Sequence, residues 1–291
     1  VFLLERNSII LSKCFEIFFT SILLCVAQLQ LNAQQLSYKF QHYTIDNGLS
    51  QNLVYSICQD ARGFMWFGTK DGLNRFDGYE FKTYRYDPFD STSLSGNTIT
   101  TLFLDKSGRL WVGTSESGLN IYDSKQDYFI HVNLNKSGKT NHQSINSITE
   151  DANGNIWVAT DGQGLYRLIF HEKNNSPANY SVAHYTHQDN NKQSIYSDFV
   201  LSVYADSQKN VWVSTITGGL QNAQVIAGKM IFKPVDYEIL RVKKIIEDNE
   251  IHFEMPDKSI VDKSEQIPPG NSWFEDEDSH LWFGTTSGLL M

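Results

Sequence analysis

The chain has 291 residues, 41% of them hydrophobic and 13% aromatic, with a formal net charge of -9. That is enough apolar material for a large core, and 20% charged residues exclude a disordered acidic tail. The acidic balance disfavours contact with nucleic acid or an anionic membrane, which need fields of Lys and Arg, and suits a soluble protein handling neutral or weakly charged ligands.

The chain starts at Val1, which need not be the natural start. Arg6 and Lys13 flank a mostly apolar stretch over 14–31, interrupted by Glu16, Thr20, Ser21, Gln28 and Gln30, and Ala33 offers a small residue at a cut. Residues 1–33 are therefore expected to be a secretory signal peptide. An uncleaved anchor is the rival, but the uninterrupted apolar run is shorter than the ~20 residues a spanning helix needs. Cys25 would suit a lipoprotein signal only if a small residue stood at Leu24. Cys14 and Cys25 fall in this segment, so the mature chain keeps only Cys58 and has no internal disulfide. That is compatible with the periplasm for a chain with a large core.

A tandem repeat dominates the remainder. Its tryptophans are Trp66, Trp111, Trp157, Trp212 and Trp282, each with an aspartate six positions before it (Asp60, Asp105, Asp151, Asp206, Asp276) and a threonine three after. A Gly-Leu pair follows each time, from Gly72-Leu73 to Gly288-Leu289. In the first unit, residues 54–59 alternate, 60–63 form a turn, 65–69 alternate again and 70–72 turn back. A third strand then runs from Leu73 to Phe76, Asp77-Gly78 signals a hairpin, and 79–86 form a fourth strand. Four short antiparallel strands per 45 or 46 residues describe an all-β chain, a β-propeller of four-stranded blades. Each recurrent residue has a structural task. Trp fills the space between blade faces, Asp accepts from turn amides, and Gly63, Gly108 and Gly154 allow left-handed turns. The small residue at Gly68, Gly113, Ala159, Ser214 and Gly284 permits close approach near the axis.

Blade motifs are placed around 53–86, 99–132, 145–187, 199–237 and 270–291 of a propeller region spanning 38–291. The spacings loosen from 45 and 46 to 55 and 70. The third repeat carries extra polar residues around 172–179, and 238–269 reads as an insertion or a degenerate blade, the insertion being favoured. A strand over 38–45 is expected to close a ring by joining the final blade. Because the last motif stops at Met291, the chain is expected to be a truncated part of a seven-bladed ring, with a five-bladed ring as the alternative.

The stretches Phe40-Gln-His-Tyr43, Asp46-Asn-Gly-Leu-Ser50, Gln59-Asp60 to Thr69 and Gly72 to Gly78 resemble the two-component regulator propeller repeat. That repeat builds the periplasmic sensor region of hybrid two-component histidine kinases of Bacteroidetes-type bacteria. The resemblance is strong in the first three units and weak over 168–271. The fourth unit departs at Lys209 and Ser214, where glycine is usual. The resemblance implies two seven-bladed propellers, an immunoglobulin-like domain, a membrane helix anchoring the parent in the inner membrane, a kinase and often a receiver with a DNA-binding domain. It implies a homodimeric receptor responding to oligosaccharides, with phosphotransfer left to a C-terminal region that this chain lacks.

Nothing in the sequence carries a catalytic motif: there is no nucleophile elbow, phosphate loop or cysteine pair, so the chain is read as no enzyme, with no cofactor and no metal. Asp151 to Gly154 and Glu275 to Asp278 lack the remaining ligands of a calcium loop and read as turn caps. His184 and His187 point to opposite faces of a strand. A glycosidase pair of carboxylates converges only in space, so a secreted lyase or glycosidase, or a protein-interaction scaffold, remains the alternative to a sensor. Binding residues are expected on the turns that gather on one face: Lys70, Asp71, Ser115, Glu116, Asp161, Gln163 and Thr217, beside the longer connections 90–97 and 189–197. Tyr84, Tyr86 and Tyr185 could stack on sugars, but alternating outer-strand tyrosines are read as packing.

Overall fold

A computed structural model describes residues 40–135, 143–171, 179–235, 243–247, 250–254, 270–285 and 288–290. The expected signal peptide at 1–33, the polar residues 172–178 and most of 238–269 lie outside them. The chain divides into Val1–His42 and Tyr43–Met291. Everything below concerns the second unit.

Five sheets carry the repeat, and consecutive strands within each are antiparallel neighbours. Blade 1 holds β1 (Val54–Gln59), β2 (Met65–Thr69), β3 (Gly72–Phe76) and β4 (Phe81–Tyr84). Blade 2 holds β5 (Ile99–Leu104), β6 (Leu110–Thr114), β7 (Leu119–Asp123) and β8 (Tyr128–Val132). Blade 3 holds β9 (Ile145–Glu150), β10 (Ile156–Thr160), β11 (Leu165–Phe170) and β12 (Tyr180–Tyr185). Blade 4 holds β13 (Val200–Ala205), β14 (Val211–Thr215), β15 (Gly219–Ile226) and β16 (Lys229–Pro234). A hairpin of β17 (Lys243–Glu247) and β18 (Glu250–Glu254) forms its own two-stranded sheet, and blade 5 shows β19 (Gly270–Glu275), β20 (Leu281–Thr285) and β21 (Gly288–Leu290). Sequence alternation places the fourth strand of blade 1 over 79–86. It starts later because the Asp77 carboxylate accepts from the amides of Tyr79 and Glu80, both at 2.8 Å, and prolongs the turn.

Of the strand expected over 38–45, residues 38 and 39 lie outside the described residues, and no strand forms over 40–45. Thr44 caps a single 3-10 turn, Ile45–Asn47, with its hydroxyl accepting from the Asp46 amide and the Asn47 side chain accepting from the Thr44 amide. Tyr43 then seats edge-on against Phe76 and Phe81, with ring centroids 5.0 and 5.7 Å away. Alternation alone does not make a strand when local capping offers the backbone other partners.

Three of the five repeat tryptophans fill the spaces between blades as expected. Trp66 lies among Leu94, Ile99, Leu110 and Tyr122, Trp111 among Ile145, Ile156 and Leu168, and Trp157 among Val200, Val211 and Val213. All three are fully or almost fully buried. At full burial a side chain of this size contributes a few kcal/mol, on the order of 25 cal/mol per Å² of apolar area. Trp212 and Trp282 depart from that expectation, since both are only partly buried. Trp212 packs at the edge of a small cluster of Leu220 and Phe283, in which Trp273 of blade 5 also sits. That cluster has two buried members, against nine or more in the clusters that hold the other three tryptophans, so it covers less of the ring. Trp282 belongs to none of the four clusters, because among the described residues no further blade packs on blade 5 beyond β21.

Near the axis the blades approach closely: a Cβ on Gly68 would stand 2.7 Å from Ile99 Cγ2, and one on Gly113 2.8 Å from Ile145 Cγ2. A further device, not visible in the sequence, recurs on every first strand. The register against the second strand skips one residue, namely Tyr55, Thr100, Asn146, Leu201 or Asn271. Such a bulge re-aims the extra side chain. Thr100 Oγ1 thereby donates to the Ile145 carbonyl at 2.5 Å, and Asn146 Nδ2 to the Val200 carbonyl at 2.9 Å, each reaching the next blade.

Candidate functional site

The repeated aspartates are joints. The indole N–H of Trp66, Trp111, Trp157, Trp212 and Trp282 donates to the carboxylate six residues before it, at 3.1, 2.8, 2.9, 2.8 and 2.9 Å. The joint is therefore made in all five blades, including the two whose tryptophans are only partly covered. The same carboxylates accept turn amides, those of Arg62 and Phe64 at Asp60 and those of Asn153 and Asn155 at Asp151. Burial pushes the Asp60 and Asp151 carboxyls up, but these bonds outweigh it and hold both below the usual range. They are fixed anions that tie turn to core, not poised acids. The amide role follows from the sequence alone; the signal for the indole partner is the constant spacing of six.

The threonine after each tryptophan closes the turn between second and third strands. Thr69, Thr114 and Thr160 donate their hydroxyls to the carbonyls of Gly72, Gly118 and Gly164 at 3.0, 2.8 and 2.7 Å. Those glycines in turn donate N–H to the segment entering the next blade, at Asn97, Gln143 and Asp198. Two residues further on, fully buried Asn74 grips Ser50 and equally buried Asn120 grips Ser95. Gln221 does the same work on Tyr196 and Ser194. Leu49-Ser50 and Leu94-Ser95, matched to Asn two after each Gly, were the available signal for these clamps.

This scaffold carries the expected binding residues. Ser115 and Glu116 of blade 2 meet Ser144 and Asp161 of blade 3 around one cleft, and Ser115 and Glu116 also border a second, with Gly96, Asn97 and Thr98. Three of the seven residues are thus brought together. Lys70 is exposed, and Asp71 pairs with Arg85 at 3.0 Å with both side chains half exposed, which contributes little. The Gln163 carbonyl meets His184 Nε2 at 2.7 Å, and exposed Thr217 lies at its own turn, outside this cleft. Half-exposed Phe199, for which the sequence offers no signal, stands over Gly162 in the turn next to Asp161. Tyr84 and Tyr185 pack as expected, stacked on Trp66 and Trp157 at 5.7 and 5.8 Å, whereas Tyr86 is exposed. The His184 ring stacks on Tyr166 at 4.1 Å, and His187 meets the Ile195 carbonyl. Among the described residues no three His, Cys, Asp or Glu side chains converge.

Residues 48–71, 93–116 and 140–162 each match the family described as the two component regulator propeller, and each match ends in the turn after Trp-x-x-Thr. The likeness thus falls on one stretch in each of blades 1, 2 and 3. A stretch of 77 residues is 48% identical to Histidine kinase P4 of Formosa agariphila, covering 26% of this chain and 6% of that protein. The chain also superposes on the extracellular domain described for a hybrid two component system of B. thetaiotaomicron, at a TM-score of 0.57 and 26% identity. That match covers 85% of this chain and 31% of the other, so the chain spans less than a third of either relative. Virginiamycin B lyase from Staphylococcus aureus shares the propeller fold, with a TM-score of 0.52, 14% identity and coverage of 88% and 73%. No described helix is long and apolar enough to cross a membrane.

Proposed function

We propose that this chain is the exported, periplasmic ligand-sensing propeller of a two-component receptor, responding to oligosaccharides, with phosphotransfer performed by a histidine kinase outside the chain. The carrying observation is the polar cleft of Ser115, Glu116, Ser144 and Asp161, mounted on turns that the regulator propeller repeat fixes rigidly. Hydroxyls and carboxylates there can exchange hydrogen bonds with the hydroxyls of a neutral sugar without needing a strong field. Each recurrent aspartate is occupied by its own tryptophan and turn, which supports binding without bond breaking. The extracellular relative supports export, and a homodimer would carry the signal onward. Calorimetric titration with a panel of oligosaccharides tests this reading. Saturable binding is expected, weakened about tenfold by Asp161→Ala, with the glycan recovered intact. Product formation, or indifference of every glycan to the chain, overturns it.

A further inference from the structure

The interface between blades 1 and 2 and that between blades 3 and 4 are built from the same rings. Trp66 stacks on Tyr84, which meets Phe129 edge-on at 5.4 Å. Trp157 stacks on Tyr185, which meets Phe232 edge-on at 5.4 Å. Arg75 pairs in register with Trp66 and lies over its ring, and Arg167 does the same at Trp157.

One position differs. Opposite Phe129 stands Tyr122, whose ring meets Trp66 at 4.7 Å and whose hydroxyl accepts from Arg75 Nη1 at 3.2 Å and donates to Asp127. Opposite Phe232 stands Ala223. In place of the tyrosine ring there is a groove of about 420 Å³, bordered by Trp157, Arg167, Asn222, Ala223 and Met230. It lies at the first-to-second strand turns, the opposite end of the strands from the Ser115–Asp161 cleft.

The groove is also chemically unfinished. Arg167 gives Nη2 to Asp151 at 3.1 Å, but its Nε is buried with no hydrogen-bond partner. Asn222 is 7% exposed, and its Oδ1 is likewise buried without one. A buried donor and a buried acceptor left unmet are costly, and the two residues that carry them line the same groove. The blade 1–2 interface shows which chemistry meets such a pair: an aromatic ring carrying a hydroxyl that accepts from the guanidinium and donates to an oxygen.

We propose that the groove between blades 3 and 4 binds a small para-hydroxyaromatic compound. Its ring lies against Trp157 and Met230, and its hydroxyl accepts from Arg167 Nε–H and donates to Asn222 Oδ1. An apolar cavity of about 150 Å³ already holds benzene, so the space is sufficient. The inference is independent of the oligosaccharide reading, which concerns the other end of the blades.

Titration of the chain with para-cresol, followed by tryptophan fluorescence and calorimetry, tests it. Saturable binding is expected, with toluene weaker by about tenfold or more because it leaves both polar groups unmet. Ala223→Tyr supplies the ring from within and is expected to abolish para-cresol binding while raising the melting temperature. Asn222→Leu is expected to weaken binding about tenfold with the far-ultraviolet spectrum unchanged. Absence of saturable para-cresol binding overturns the proposal, as does equal binding of toluene. So does undiminished affinity in folded Ala223→Tyr or in Asn222→Leu.

Discussion

Blades 1 and 2 meet through a closed network, whereas blades 3 and 4, with the same tryptophan, tyrosine and phenylalanine in place, meet around an open groove. In the first pair Tyr122, Tyr84, Lys82 and Arg75 all converge on Asp127, at the turn between β7 and β8. In the second, Ala223 stands at the position of Tyr122, Ala227 takes the left-handed turn conformation that Asp127 takes, and the arginine's ion pair is with its own blade's Asp151. The repeat therefore keeps what a blade needs for itself, the Asp–Trp joint, and leaves the seam between blades free to vary. In a stacked-repeat protein, stability is a sum over units and their nearest-neighbour seams, so the two seams should respond differently to the same kind of damage.

The largest effect is expected from Tyr122→Ala, which makes the first seam resemble the second. It removes a ring that is 5% exposed and the hydroxyl that accepts from Arg75, for a loss of about 3–5 kcal/mol in urea unfolding. A loss under about 1 kcal/mol would show that the seam contributes little and that the comparison misplaces the stability. Next comes Asp151→Ala, which orphans the Trp157 indole, two amides and Arg167 together. A loss of about 2–3 kcal/mol is expected, since buried groups lose their partners. The joint of Asp276 with the partly covered Trp282 is far better solvated and should respond less to the same change.

A smaller, pH-dependent effect separates the seams. Burial pushes the Asp127 carboxyl up, but bonds from Lys82, Tyr122 and Tyr84 outweigh it and bring it from 3.8 down to about 2. A depressed carboxyl stabilises the fold above its ordinary value and loses that contribution as pH falls towards about 2. Melting temperatures of wild type and Asp127→Asn should therefore converge between about pH 4 and pH 2. Parallel curves would mean that the cluster does not hold the seam.

The smallest change is at Lys209, which occupies the left-handed position of Gly63, Gly108 and Gly154 with φ 72°. Its turn is the same as theirs, with the Lys209 amide on the Asp206 carbonyl at 3.1 Å. The departure from glycine thus strains the turn without altering it. Lys209→Gly should gain about 0.5 kcal/mol, relief of the strain exceeding the extra freedom of the unfolded chain. A loss on chemical unfolding would instead assign the lysine side chain a role of its own.

How much was legible follows sequence distance. The Asp–Trp joint spans six residues and repeats five times, so its existence could be read from spacing alone. The turn caps and strand order are local as well. The Tyr122–Arg75 bond spans 47 residues and the Tyr84–Asp127 bond 43. Nothing in one repeat announces which residue of the next will face it, so the seams and the Ala223 groove were invisible. The same limit applies to Trp212 and Trp282, whose motif matches that of Trp66 while their burial depends on what the neighbouring blade brings. The 3-10 turn after Thr44 is local too, but its signal is the Thr44–Asn47 cap, which runs against the alternation of the same stretch. Of the candidate cleft, chain position could place residues on one face, but only the blades' mutual approach decided that Ser115, Glu116 and Asp161 share a space.

The amides of Gly72, Gly118 and Gly164 each hold the strand entrance of the following blade. Each of these three second-to-third turns is therefore a coupling link as well as a candidate contact for ligand. A ligand that levers one turn pulls directly on its neighbour's first strand, and motion is handed down the chain as along a row of linked carriages. A propeller so hitched converts a local tug into a displacement felt one blade further on.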